Sequence, residues 1–186
     1  MPPFLQTFDE SILLFTQQYI RNSFLTPCMQ WISSFFDRGL LSIVTCILLL
    51  AFHRTRQIGY AATLSLSLST IITNITLKPL VARPRPYHVL EQLVTLAHRP
   101  SDFSFPSGHT TAAFAVAGVL FFCCPKRYGV PALILAILVG LSRIYLGIHF
   151  PSDVMMGTLV GMGTSYVAFR IVNGNNRSFN ESKSKK

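Results

Sequence analysis

The sequence predicts an all-α fold, a polytopic transmembrane helical bundle forming one domain. Three observations carry this. Half of the 186 residues are hydrophobic and only 12% are charged, against about 25% in soluble domains. Mean hydropathy is +0.44, and the apolar residues gather in runs close to the roughly 20 residues that a spanning helix needs. The basic residues punctuate these runs, so the formal net charge of +9 reads as membrane-flanking loops rather than as a nucleic-acid surface.

The first element, Phe8 to Ile20, is too short to cross. Phe8, Ile12, Phe15 and Tyr19 share one helical face, and Asp9, Glu10 and Gln17 fall elsewhere. This predicts an N-terminal amphipathic helix, lying in the interface or packed on the bundle. Asn22 to Pro27 breaks it. Leu40 to Phe52 is apolar but short. Extended back to about Ile32 it reaches spanning length, with Asp37 and Arg38 near one interface. Ile58 to Leu77 crosses cleanly, and Thr110 to Cys124 is a shorter span. Val130 to Leu146 follows, with Pro131 suited to a first helical turn. Val154 to Val172 is last, and its Gly157 and Gly161 have the GxxxG spacing of closely approaching helices. The count is five clear spans, or six if the N-terminal helix crosses. Residues 1–172 form the single membrane domain. Residues 173–186, NGNNRSFNESKSKK, are expected to be a polar, disordered cytoplasmic tail. The N-terminus lacks the basic region of a cleaved signal peptide. Cys28, Cys46, Cys123 and Cys124 have no metal-ligand spacing and read as small core hydrophobes.

Charge sets the orientation. In the five-span arrangement Arg54, Arg56, Lys126, Arg127, Arg170 and the tail place nine of the sixteen Lys and Arg on one side. The other side holds Arg21, Arg38, Lys78, Arg83, Arg85, Arg99 and Arg143. Lys78, Arg85 and Arg143 have a chemical reason to be there. Without them the count is nine against four, which makes the first side cytoplasmic and the long Pro79 to Ser107 loop extracytoplasmic.

Three clusters fall at the extracytoplasmic ends of the spans: KPLVARPRP (Lys78 to Pro86), PSGH (Pro106 to His109) and SRIYLGIHFPSD (Ser142 to Asp153). Ionisable residues beside membrane spans are costly and point to function. Lys78 offers a point charge and Arg85 a bidentate fork, both suited to phosphate. Ser107 can cap a helix or turn its hydroxyl to a ligand. Gly108 lets the backbone approach closely, and the following helix N-terminus favours an anion. His149 and Asp153 are four apart. A carboxylate on one imidazole nitrogen would fix the tautomer and free the other as nucleophile, leaving His109 as the acid for a leaving oxygen. Taken singly, Lys78 reads as a snorkelling lysine, PSGH as a turn and cap, and His149 as structural; it is their joint occurrence on one face that points to a site. Arg83 and Arg99 stay open between solvated loop charges and function. His53, His88 and His98 are given no role. Ser67, Thr70, Asn74 and Lys78 recur at three, four and four on one helix face, leading to the site or bonding neighbouring helices.

In order and spacing the clusters resemble the type-2 phosphatidic acid phosphatase superfamily, which includes the vanadium haloperoxidases. Its pattern K-x6-RP, PSGH, SR-x5-H-x3-D is met by Lys78 with Arg85-Pro86, by Pro106 to His109, and by Ser142-Arg143 with His149 and Asp153. The resemblance spans Lys78 to Asp153. It implies that His149 attacks phosphorus, Asp153 orients His149, and His109 protonates the leaving group and later activates water. It implies that Lys78, Arg85, Ser107, Gly108 and Arg143 hold the phosphoryl oxygens, with no metal and no cofactor. It also implies a lipid phosphate or diphosphate substrate and a multi-pass cell-membrane location, with no nucleic-acid partner. For a chain this small, family analogy favours undecaprenyl pyrophosphate, with phosphatidic acid and phosphatidylglycerol phosphate as alternatives. A lipid transporter that binds without hydrolysis is a rival, but the intact His149-Asp153 pair argues against it. Gly118, Gly157 and Gly161 are expected to leave lateral gaps between helices for a lipid tail.

Overall fold

The computed structural model describes residues 3–184. It is helical throughout, with no strand among the described residues. Helix α1 (Pro3–Phe15) widens into a π-helical turn over Thr16–Ile20. Helices α2 (Leu25–Phe35) and α3 (Leu40–Ala51) are bent by 50° at a short break. Gly39 sits in that break with φ +71°, a left-handed conformation that favours glycine. Helix α4 (Arg56–Thr70) continues as a π-helix over Ile71–Leu77 into α5 (Lys78–Val81), and α6 (Pro86–Val89) is a single turn. Helices α7 (Gly108–Cys123), α8 (Lys126–Tyr145) and α9 (Pro151–Ser184) complete the chain.

Helix α7 is the centre of the bundle, packed by α9, α8 and α4. It is apolar nearly all round, as a helix covered on every side must be. Phe114, Ala117, Ala136 and Val139 form one core with Phe36, and Val116 and Val119 form a second with Cys46, Ala61 and Ala62. The other cysteines lie nearer the surface, and Cys28 is exposed.

The expected spans are met in part. Three stretches are long and apolar enough to cross a bilayer: Arg56–Val89, Lys126–Tyr145 and Pro151–Gly174. A fourth results if bent α2 and α3 act together, and Gly108–Cys123 is a shorter apolar helix. Two expectations change. Helix α8 starts at Lys126, so Pro131 lies inside it rather than in its first turn. Helix α9 continues to Ser184 instead of giving way to a disordered tail after Val172, the last two tail residues lying outside the described residues. Helix α1, expected to be amphipathic, leaves Phe4, Phe8, Phe15 and Tyr19 exposed and buries Asp9 and Leu13.

The GxxxG expectation holds as close approach. A Cβ on Gly161 would stand 2.7 Å from the Phe114 Cβ and the Thr111 carbonyl oxygen. One on Gly157 would stand 2.8 Å from the Ser107 carbonyl oxygen. Gly118 is likewise occupied by Ser165. These glycines are filled by neighbouring helices, so they leave no lateral gap. Gly161→Ala should therefore destabilise the bundle by about 1–3 kcal/mol through overpacking. Gly163, with nothing within 4 Å of its Cβ position, should accept alanine at no cost or gain up to about 1 kcal/mol from helix propensity. Thermal midpoints of both variants in one detergent check this contrast.

Candidate active site

The three clusters meet at one end of the bundle, around a cavity of about 850 Å³ lined by Lys78, Arg85, Asp102, Gly108, His109 and His149. Local backbone features bring them there. The π-helical stretch Ile71–Leu77 redirects the end of α4, and Ser67, Thr70 and Asn74 line the cavity with Lys78. Ala82 then adopts a left-handed conformation (φ 48°), and its N–H donates to the Lys78 carbonyl at 2.9 Å. That tight turn, uncommon for a residue with a Cβ, sends Arg83 and Arg85 back toward the bundle. Ser104 N–H donates to the Arg83 carbonyl (2.9 Å), and Ser107 N–H donates to the Asp153 carbonyl (3.0 Å). These bonds tie the PSGH loop to both other clusters.

His149 is fully buried in the turn between α8 and α9, with Asp153 on the first turn of α9. Its Nδ1 lies 3.5 Å from Asp153 Oδ2, and its Nε2 lies 3.2 Å from Arg85 Nη1. A guanidinium has only donors, so Nε2 is the acceptor and the ring proton sits on Nδ1, facing the carboxylate. Burial pushes the His149 pKa down and keeps the ring neutral; Asp153 opposes this and Arg85 adds to it. The ring thus presents a neutral lone pair to the cavity wall. Asp153 is fixed from several sides. Its Oδ2 accepts from the Phe150 N–H at 2.9 Å and from the Ser104 hydroxyl, and its Oδ1 accepts from Arg83 at 2.6 Å.

Arg85 also donates to the Ile148 carbonyl (3.0 Å), the Asp102 carbonyl (2.9 Å) and Asp102 Oδ1 (2.6 Å). The other Asp102 oxygen accepts from Lys78. Partial burial opposes ionisation of Asp102, but Lys78 and Arg85 outweigh it and hold the carboxyl down at about 2. This half-exposed carboxylate therefore stays charged at any ordinary pH, clasped between two cations on the cavity wall. His109, at the start of α7, places Nε2 3.2 Å from Asp37 Oδ1 beside the α2–α3 break.

Of the residues singled out from sequence, Lys78, Arg85, Gly108, His109 and His149 line the cavity. A Cβ on Gly108 would point within 3.9 Å of Lys78 Nζ, so its absence keeps that wall open. Asp153 stands behind His149. Ser107 is fully buried with its Oγ accepting from Thr110 at 2.9 Å. Arg143 is buried with Nη1 donating to Ser33, and its Nε has no partner among the described residues. Arg83, left open from sequence, is buried and bonded to Asp153. His98 lines the cavity, and Asp9, Asp37, Asp102 and Ser104 are site neighbours without a motif to mark them. Their only sequence signal is rarity: the chain has just seven Asp and Glu, and Asp9, Asp37, Asp102 and Asp153 gather here.

Comparison with known proteins identifies the family. Residues 58–177 match the family model described as the PAP2 superfamily. The chain is 33% identical over 136 residues to an undecaprenyl-diphosphatase of Sulfolobus acidocaldarius, covering 73% of this chain and 66% of that protein. It is 30% identical to the undecaprenyl-diphosphatase BcrC of Bacillus subtilis, covering 80% of this chain and 76% of that one. The crystal structure of LpxE from Aquifex aeolicus superposes with a TM-score of 0.76 at 29% identity, covering 87% of this chain and 93% of that chain. With its three clusters at one cavity and its helical bundle shared with a solved relative, the chain belongs to the PAP2 superfamily.

Proposed function

We propose that this protein is an integral-membrane lipid phosphatase that removes a phosphate from a lipid phosphate or diphosphate through a phosphohistidine. The observation that carries the reading is the His149 ring, with Nδ1 toward Asp153 and its Nε2 lone pair beside Arg85 at the cavity wall. In the first step Nε2 bonds to phosphorus while the P–O bond to the lipid breaks, and His109 gives its proton to the departing oxygen. In the second, His109 takes a proton from water, whose oxygen attacks phosphorus. The N–P bond breaks, releasing phosphate and neutral His149. Lys78 and Arg85 hold the phosphoryl oxygens, and the Gly108 N–H, on the same cavity wall, is the backbone donor. The Arg143 Nε, without a partner among the described residues, supplies a further donor. Ser107 Oγ accepts from Thr110, which leaves its hydroxyl proton to donate to a phosphoryl oxygen.

The cavity extends from the charged wall past Ser67 and Thr70 to Leu66, Ile71 and Ile43. This route between α3 and α4 suits a lipid whose head lies at the cations and whose tail leaves sideways. We assign Gly108–Cys123 and the α2–α3 pair as crossings, giving five spans. The turns that carry Arg54 with Arg56 and Lys126 with Arg127 lie at the cytoplasmic end and the site faces the extracytoplasmic side, as the charge count favours. The cation-lined wall and the undecaprenyl-diphosphatase names of two relatives support undecaprenyl pyrophosphate as substrate.

Purified protein should release phosphate from isoprenyl diphosphates, and His149→Ala should abolish release together with any acid-labile phosphoenzyme. A preference of about tenfold in kcat/KM for phosphatidic acid or phosphatidylglycerol phosphate, roughly 1.4 kcal/mol of transition-state binding, would reassign the substrate. His109→Ala should cost about a hundredfold or more with a lipid alkoxide leaving group and much less with nitrophenyl phosphate, whose leaving group needs no proton. Equal losses on both substrates contradict the acid role. Asp102 occupies the seat that a phosphate would take on Lys78 and Arg85. Asp102→Asn should therefore tighten competitive inhibition by inorganic phosphate about two- to fivefold, in line with a half-exposed ion pair worth up to about 1 kcal/mol. Weaker inhibition would mean that Asp102 organises the two cations instead of competing for them.

A further inference from the structure

Arg83 and Asp9 form a buried charged unit behind the site, and neither lines the cavity. Arg83 Nη1 donates to Asp153 Oδ1 (2.6 Å) and to Ser152 Oγ (2.8 Å), and its Nη2 donates to Asp9 Oδ2 (2.7 Å). The guanidinium carbon lies over Phe150, 3.7 Å from the ring centroid. Asp9 comes from α1, at the far end of the sequence, and is completely buried. Its Oδ1 accepts from the Ser152 N–H at 2.8 Å, and its Oδ2 accepts from the Ser152 hydroxyl. Ser152 is the second residue of α9, so Asp9 caps from outside the very helix turn that carries Asp153. A carboxylate there is favoured by the unpaired N–H groups and positive end of that helix.

The consequence concerns His149. Its orientation depends on Asp153, whose Oδ2 is shared among the ring, Ser104 and the Phe150 N–H, while Arg83 anchors Oδ1. A single carboxylate contact would leave the guanidinium free to swing. Asp9 and Phe150 remove that freedom. We propose that Asp9 and Arg83 are positioning residues for the His149–Asp153 pair, so that docking of the N-terminal helix is part of the catalytic apparatus. This rests on His149 being the nucleophile.

The proposal separates from a merely structural role because the two effects move different quantities. Loss of a structural contact lowers the thermal midpoint and the folded yield but leaves kcat of the folded enzyme unchanged. Loss of positioning lowers kcat in folded enzyme, with substrate binding intact. The experiment uses the full chain in detergent, monodisperse fractions only, with farnesyl diphosphate as substrate and inorganic phosphate as competitive inhibitor. Asp9→Asn should lower kcat by about ten- to a hundredfold, the scale expected when a reacting group is displaced by about an ångström. KM and the phosphate inhibition constant should stay within about twofold. Arg83→Gln should lose at least as much, and Arg83→Lys should recover part of it. The Asp9→Asn, Arg83→Gln double variant should be no worse than Arg83→Gln alone, since both act along one route. Should Asp9→Asn fail to fold, Ser152→Ala removes only the hydroxyl shared by both residues, and about a threefold or larger drop in kcat at unchanged phosphate inhibition is expected. Parental kcat in folded Asp9→Asn or Ser152→Ala, additive losses in the double variant, or a matching loss of phosphate affinity overturns the proposal. Absence of phosphate release by the parent protein overturns the functional reading and this inference together.

Discussion

A completely buried carboxylate, Asp153, is the constraint on which this end of the molecule depends. Stripping a carboxylate of water costs several kcal/mol unless hydrogen bonds and a countercharge replace the solvent. Here the four replacements come from three places in the sequence: Arg83 from the loop after α5, Ser104 from the loop before α7, and the Phe150 N–H and His149 from the turn before α9. The donors have to be delivered by three separate pieces of chain. The left-handed Ala82, the Ser104–Arg83 and Ser107–Asp153 backbone bonds and the first turn of α9 are the geometry that delivers them. One buried charge thereby fixes the relative positions of three loops that share no continuous secondary structure.

The second carboxylate at the site, Asp102, behaves in the opposite way. It is half exposed and clasped by cations that also face the cavity. Apart from His149, Asp153 is locked by donors that do not line the cavity, whereas the partners of Asp102 are the groups an anionic ligand would seek. Burial is what separates the roles. A charge that cannot meet water or ligand becomes scaffold, and one at the cavity surface stays exchangeable. The same logic applies to the cations. Arg83, enclosed by Asp9, Asp153 and Phe150, is scaffold, and Lys78 and Arg85 are surface to the cavity.

Much of this was legible in the sequence. The helical class follows from apolar runs, and Lys78, Arg85, Gly108, His109 and His149 meet at one cavity as their fixed spacings imply. The close approach at Gly157 and Gly161 was legible for the same reason: the spacing itself encodes the geometry. What was not legible depends on long-range pairing. Asp9 precedes Arg83 by 74 residues and Ser152 by 143, and periodicity within α1 assigns it to the polar face, toward water. The structure turns that face inward because a buried arginine and a helix N-terminus are waiting there. Asp37 and Asp102 escaped for the same reason, since nothing local to either reports its partner. Composition leaves the span count open, because it cannot tell a lipid-facing helix from one enclosed by its neighbours. Helix α7 is apolar because protein surrounds it, whatever its length.

The glycines show how a correct local signal can still mislead about function. Small residues permit either a gap or a close contact, and the sequence does not say which. At Gly118, Gly157 and Gly161 the neighbouring helices have moved in, and α7 and α9 become a tight unit. The open route lies elsewhere, where α3 departs from α2 by 50° and the π-helical end of α4 turns Asn74 and Lys78 into the cavity. Bends and widened turns separate helices, whereas small side chains draw them together. Access to a buried site in this bundle therefore depends on irregular backbone, and tight packing elsewhere holds that irregular backbone in place. The polar-to-apolar gradient along the route, from Lys78 through Thr70 to Leu66 and Ile43, fits the change from head group to hydrocarbon that a lipid would bring.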